Sequence, residues 1–169
     1  MNIALIGFMA AGKSTVGRIL ADRLGYGFVD TDEEIVRRTG LEIAEIFASE
    51  GETAFRAIEK RVVAEASASE KTVIACGGGV VLDQRNVDAI RCTSRLVLLT
   101  ASVDETMNRV KGDGSRPLLN VGDREKAITA HLEERTPHYL KAADAVVDTS
   151  GLTLKEVADR VILLLGAEA

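Results

Sequence analysis

Short apolar runs alternate along the chain with longer stretches in which apolar residues recur every three or four positions. The runs fall at 3–6, 27–29, 73–76, 96–100 and 145–147. Each has the length of a buried strand, and helical patterns lie between them. Val16, Ile19, Leu20 and Leu24 share one helical face after the first run. Phe55, Ile58 and Val62 do so before the third, and Leu154, Val157, Val161 and Leu164 form the expected inner face of the last helix. Five strands alternating with helices predict an α/β fold with a parallel sheet covered on both faces. Helix starts are readable where Thr or Ser stands three residues before Glu: Thr31 with Glu34, Ser102 with Glu105, and Thr153 with Glu156. Gly51 is expected to stop one helix just before another begins, and a further helix is expected over about 126–140.

Composition narrows the class without deciding the chemistry. With 169 residues, 46% hydrophobic and 28% charged, the chain reads as a single soluble domain, 1–169, with a sizeable core. A net charge of −5 gives no support to general nucleic-acid or acidic-membrane binding, so an anionic ligand needs a locally basic pocket. No apolar run is long enough to span a bilayer, and the N-terminus enters a strand without a signal-peptide layout. The two cysteines, Cys76 and Cys92, form no disulfide framework and suit a reducing cytoplasm; Cys76, at a strand end, is expected to be a buried thiol. The absence of an extra apolar patch in the pattern points to a monomer.

The candidate chemistry starts directly after the first strand. Gly7-Phe8-Met9-Ala10-Ala11-Gly12-Lys13-Ser14-Thr15 fits G-x-x-x-x-G-K followed by Ser or Thr, in the strand–loop–helix context that a phosphate-binding loop requires. Gly7 and Gly12 permit close backbone approaches, and the N–H groups of the loop can then converge on phosphate oxygens at a helix N-terminus. Lys13 would reach the β- and γ-phosphates, and the Ser14 hydroxyl would ligate the Mg²⁺ of a bound nucleotide. A lysine at a helix N-terminus is electrostatically misplaced unless an anion lies beside it.

Other candidates carry two readings each. Asp30 and Asp32 follow the second strand, where they would face the same crevice as the phosphate loop. Asp32 equally suits the first turn of a helix capped by Thr31. Arg56 follows an aromatic residue and either points at the crevice or is a solvated surface arginine. Gly77-Gly78-Gly79 is conformationally costly, which makes sense where a ligand lies against bare backbone; the alternative is a tight turn. The run from Gly112 to Leu119, containing Arg116 and Pro117, has the composition of a mobile lid. His131 and His138 show no metal-ligand spacing.

Taken together, these pieces resemble the shikimate kinase family over nearly the full length of the chain. The matching residues are Gly7 to Thr15, Asp30-Thr31-Asp32, Phe55-Arg56 with Glu59, Gly77-Gly78-Gly79, Arg116-Pro117-Leu118-Leu119, and Arg135 with Pro137 and Tyr139. The resemblance implies a three-layer P-loop kinase fold with strand order 2-3-1-4-5, a substrate-binding region at about 31–62 and a lid at about 111–124. It implies transfer of the ATP γ-phosphoryl group to the 3-hydroxyl of shikimate. By position, Asp32 would contact the shikimate hydroxyls, and either align or deprotonate the attacking one. Asp30 would assist Mg²⁺ through water. Arg56 and Arg135 would grip the carboxylate, and Gly77, Gly78 and Gly79 would line the ring. Arg116 would stand near the transferring phosphate, with Arg109 beside the adenine. Many members have a third loop glycine where this chain has Ala10, which the general motif does not require.

Rival functions lack their signatures. A GTPase switch would need an Asn-Lys-x-Asp motif, and Asn120-Val121-Gly122-Asp123 lacks the lysine. A motor or transport ATPase would need a strand-end acid, which Asp148 supplies only in the last strand. Another small-molecule kinase, such as a gluconate or nucleotide kinase, remains open, because gluconate also carries a carboxylate for Arg56 and Arg135.

Overall fold

The computed structural model describes residues 1–110 and 124–166. The elements run β1 (Asn2–Ile6), α1 (Lys13–Leu24), β2 (Gly27–Asp30), α2 (Thr31–Thr39), α3 (Ile43–Ser49), α4 (Gly51–Ser67) and β3 (Thr72–Ala75). A 3-10 turn (Val80–Leu82) precedes α5 (Gln84–Arg91), β4 (Ser94–Thr100), α6 (Val103–Val110), α7 (Arg124–Ala142), β5 (Ala145–Asp148) and α8 (Leu154–Leu165). All strands are parallel, in the order β2-β3-β1-β4-β5. The register sets Ile3 opposite Val73 and Arg95, Asp30 opposite Ala75, and Thr100 opposite Asp148. Every strand therefore delivers its carboxyl end to one edge, where open parallel sheets bind ligands.

Alternate strand residues feed two cores, one on each face. Ala4, Ile6, Ile74, Leu96 and Leu98 pack with residues of α4, α5 and α7. Ile3, Leu5, Val73, Val97 and Leu99 pack with Val16 and Leu20 of α1 and Val157 and Val161 of α8. Beyond the sheet, Ile35, Ile46, Phe55 and Val62 close a third cluster under α2, α3 and α4. This cluster holds the helices that overhang the site. No helix among the described residues is long and apolar enough to cross a membrane.

Several local expectations are corrected. The cap of α2 is Asp30, which accepts from the N–H groups of Asp32 and Glu33, and Thr31 is not the cap. The box at Thr153 and Glu156 forms in both directions, and Ser102 accepts from the Glu105 N–H at 3.2 Å. Gly51 does not end a helix. With φ of +83° it is the first residue of α4, while Glu50 serves as last cap of α3 and first of α4. On α8 the buried stripe is Val157, Ala158 and Val161, leaving Leu154 and Leu164 exposed. The sheet meets a narrower arc of this helix than its apolar positions offer.

Candidate active site

β1 hands the chain to the phosphate loop at Gly7, where φ is +141°. A Cβ there would lie 2.3 Å from the Leu99 carbonyl oxygen of β4, so the loop begins in contact too close for any side chain. Gly12 precedes α1 as its cap, with φ of +88° and no side-chain hydrogen bond to the first turn. The first turn of α1 also contains no acidic residue. Its N–H groups are thus not supplied with a side-chain acceptor at the cap, the condition in which a helix N-terminus takes an anion. Lys13 lies back across the loop, its Nζ donating to the carbonyls of Gly7 (2.9 Å) and Phe8 (2.8 Å). Ala10 stands at φ +59°, the left-handed region that the missing glycine would favour. Arg109 of α6 reaches the loop from the other side. It donates to the Ala10 carbonyl (3.1 Å) and the Thr149 hydroxyl (3.1 Å), and it pairs with Glu105. Ala11 is buried and Thr15 exposed.

Asp30 and Ser14 meet at the mouth of this loop. The Ser14 hydroxyl donates to Asp30 Oδ2 at 2.5 Å, while Asp30 Oδ1 accepts from the N–H groups of Asp32 (2.9 Å) and Glu33 (3.2 Å). Thr31, fully buried, accepts the Gly77 N–H on its hydroxyl at 2.8 Å. A hydroxyl and a carboxylate converging beside a phosphate loop are the hard oxygen donors that Mg²⁺ takes together with phosphate oxygens and water.

The second half of the site is a cavity of about 600 Å³ beside the loop. Asp32, Arg56, Glu59, Gly78, Gly79 and Arg135 form its polar side, and Val36, Ile43, Phe47 and Phe55 are among its apolar walls. Arg56 lies flat against Gly79: a Cβ on that glycine would come within 2.3 Å of Nη1 and 2.8 Å of Cζ. A Cβ on Gly77 would meet Asp32 Oδ1 at 2.5 Å and Glu59 Oε1 at 3.3 Å. Two of the three glycines are therefore required by the site's own side chains, where the sequence suggested a ligand against bare backbone. Gly78 differs. The nearest atom to a Cβ there, Arg135 Nη1, is 3.6 Å away, and the Gly78 carbonyl accepts the Tyr139 hydroxyl at 2.6 Å.

The charges in this cavity are organised around buried groups. Glu59, 1% exposed, accepts from Arg56 Nη1 at 2.8 Å. Burial pushes its carboxyl up, and the Arg56 guanidinium only partly opposes that. Burial alone would pull Arg56 down, but Glu59, with Glu52, more than reverses it. Arg135 is 7% exposed, and its Nε has no hydrogen-bond partner among the described residues. A buried unsatisfied donor is costly, and an incoming carboxylate would relieve that cost. Tyr139, next to it, is raised to about 12, chiefly by burial.

Gly7, Ala10, Gly12, Lys13, Ser14 and Arg109 gather at the loop, and Asp32, Arg56, Gly78, Gly79 and Arg135 line the adjoining cavity. Arg116 and the segment 111–123 lie outside the described residues. Glu59 and Tyr139 are matched in the family pattern but receive no role from it; the signal for Glu59 was its i,i+3 spacing from Arg56. Asp148 accepts from the Ser150 N–H, as a strand-end residue does. No cluster of three or more His, Cys, Asp or Glu suited to a metal occurs among the described residues.

The chain is similar to known proteins over nearly its whole length. A family model described as shikimate kinase matches residues 9–165. A shikimate kinase of Thermodesulfovibrio yellowstonii is 44% identical over 161 residues, covering 95% of this chain and 92% of the relative. A solved structure of shikimate kinase from Acinetobacter baumannii in complex with shikimate superposes with a TM-score of 0.94 at 36% identity, covering 99% of this chain and 94% of that one. The enzyme from Aquifex aeolicus gives 0.83 at 34% identity, covering 98% and 96%. With a phosphate loop, a polar pair beside it and two arginines across an adjoining cavity all in place, the chain belongs to the shikimate kinase family and is an ATP-dependent kinase.

Proposed function

We propose that this chain transfers the γ-phosphoryl group of ATP to the 3-hydroxyl of shikimate, with the acid held in the cavity between α2, α4 and α7. The observation that carries the reading is the pair Arg56 and Arg135 lining one cavity that also holds Asp32. Phosphoryl transfer is governed by positioning and charge neutralisation. Arg56 and Arg135 bind the carboxylate, each charge-assisted hydrogen bond contributing roughly 1.5–3 kcal/mol. Asp32 accepts the hydrogen bond of the attacking hydroxyl and so aims its oxygen. A new O–P bond then forms as the bond from the γ-phosphorus to ADP breaks, and the proton of the attacking hydroxyl leaves to the Asp32 carboxylate or to solvent. Lys13 exchanges its loop carbonyls for phosphate oxygens, and the N–H groups of α1 face them. Ser14 and Asp30 would hold Mg²⁺, which would neutralise phosphate charge. Gly77, Gly78 and Gly79 form the floor of the acid site, Arg109 flanks the nucleotide's base, and Arg116 belongs near the transferring group by family position.

The chain works on this reading as one catalytic unit, with residues about 31–62 holding the acid. We further read it as a monomer, and the free thiols Cys76 and Cys92 suit the cytoplasm. A coupled assay with shikimate, gluconate and nucleoside monophosphates tests the substrate: turnover with shikimate alone is expected, and preference for another acceptor sinks the proposal. In the same assay Asp32→Asn should lower kcat about a hundredfold or more with little change in ATP KM. Arg56→Ala should raise the shikimate KM about tenfold or more with kcat less affected. An unchanged shikimate KM in a folded Arg56 variant removes the clamp.

A further inference from the structure

Two hydroxyl groups tie down the glycine triplet at the cavity floor. Thr31, at the start of α2, accepts the Gly77 N–H at 2.8 Å. Tyr139, from α7, donates its hydroxyl proton to the Gly78 carbonyl at 2.6 Å. Glycine leaves the angles on either side of a peptide unit free, so three in a row need such ties to keep one shape. A trans peptide is planar, and holding the Gly78 carbonyl also sets the direction of the Gly79 N–H on the same unit. Tyr139 is itself well anchored, for its ring packs in the same core as Ile6, Ile74 and Leu98.

The same hydroxyl meets Arg135. Residues 135 and 139 stand one turn apart on α7 and share a face of that helix. Arg135 Nη1 and the Tyr139 oxygen lie 3.6 and 3.7 Å from one point, the position of a Cβ on Gly78. The phenol oxygen thus gives its proton to Gly78 and accepts from the guanidinium. Arg56, by contrast, is held in an ion pair with the buried Glu59. A neutral oxygen orients a guanidinium without neutralising it, which leaves the charge available to an anion. We infer that Tyr139 is a positioning residue for the acid, holding the Arg135 guanidinium over the fixed Gly78 peptide in the orientation that receives the carboxylate. The inference rests on the reading of this cavity as the acid site.

Tyr139→Phe removes the hydroxyl and keeps the ring in the core. The coupled assay should show the shikimate KM raised about tenfold, because a misaligned guanidinium loses much of its charge-assisted hydrogen bonding. The kcat and the ATP KM should stay within about twofold of wild type. A purely structural role would lower the melting temperature and leave the shikimate KM alone. An Arg135→Lys background checks the route. There Tyr139→Phe should change the shikimate KM less than about twofold, because the fork that the hydroxyl aligns is gone. If the Phe variant does not fold, Tyr139→Met, which also lacks a hydroxyl and adapts to core space, takes its place. An unchanged shikimate KM in the folded variant overturns the inference, as does an effect of full size in the Arg135→Lys background. A wild-type protein that turns over no shikimate refutes the substrate assignment first, and the inference with it.

Discussion

At Gly79 the missing Cβ matters because a guanidinium occupies its place. The atoms it would strike are the flexible end of Arg56, which can swing away, so Gly79→Ala should cost little stability. On the proposed function it should still raise the shikimate KM about tenfold or more, because the displaced arginine would lose its charge-assisted contact with the acid. Equal melting temperatures with unequal KM would confirm this, and an unchanged KM would refute it. The glycine triplet was conspicuous in the sequence, but its reason was not, since Asp32 and Arg56 meet it only through the fold. The phosphate loop was legible because its chemistry is contiguous. Ala10 shows the limit of that legibility: it accepts the left-handed conformation at about 1–2 kcal/mol, while Arg109, from far along the chain, donates to its carbonyl.

On the scale of an element, α2 is held at both ends by charge. Asp30 caps its start, and near its end Glu34 pairs with Arg37 and Arg38. Those two arginines, by hydrogen bonds first and charge second, hold the Glu34 carboxyl at about 2, below its usual 4.5. A lowered carboxyl contributes stability that is present above the ordinary value and is lost as pH falls towards the folded one. Glu34→Gln should therefore melt roughly 1–3 °C below wild type at pH 7, with the two curves converging as pH falls from 4.5 towards 2. A gap that persists at pH 2 would show that packing, and not charge, is the cause. The helix itself was visible in the sequence, yet its cap was misplaced by one residue. Thr31 and Asp30 are both good caps locally, and the choice is made by Gly77, whose N–H donates to the Thr31 hydroxyl oxygen.

For the molecule as a whole, the sheet is what brings the two binding regions together. Five parallel strands followed from the apolar pattern, whereas their order came only from the family resemblance, because no local signal states which strands are neighbours. Gly7 is where loop and sheet interlock, between β1 and β4. Its Cβ would strike backbone, not a movable side chain, and at a φ unsuited to alanine. Gly7→Ala should accordingly lower global stability by about 3 kcal/mol or more, in contrast to Gly79→Ala. A variant that melts like wild type would mean that the β1–β4 contact yields more easily than its geometry implies. One further consequence belongs to Gly78, the member of the triplet with room above it. A compound that leans on its peptide group touches atoms that every codon at that position still encodes. On the proposed function, added bulk there would press towards Arg135 Nη1, 3.6 Å from a Cβ, so a substitution that excluded such a compound would disturb the acid's own site as well.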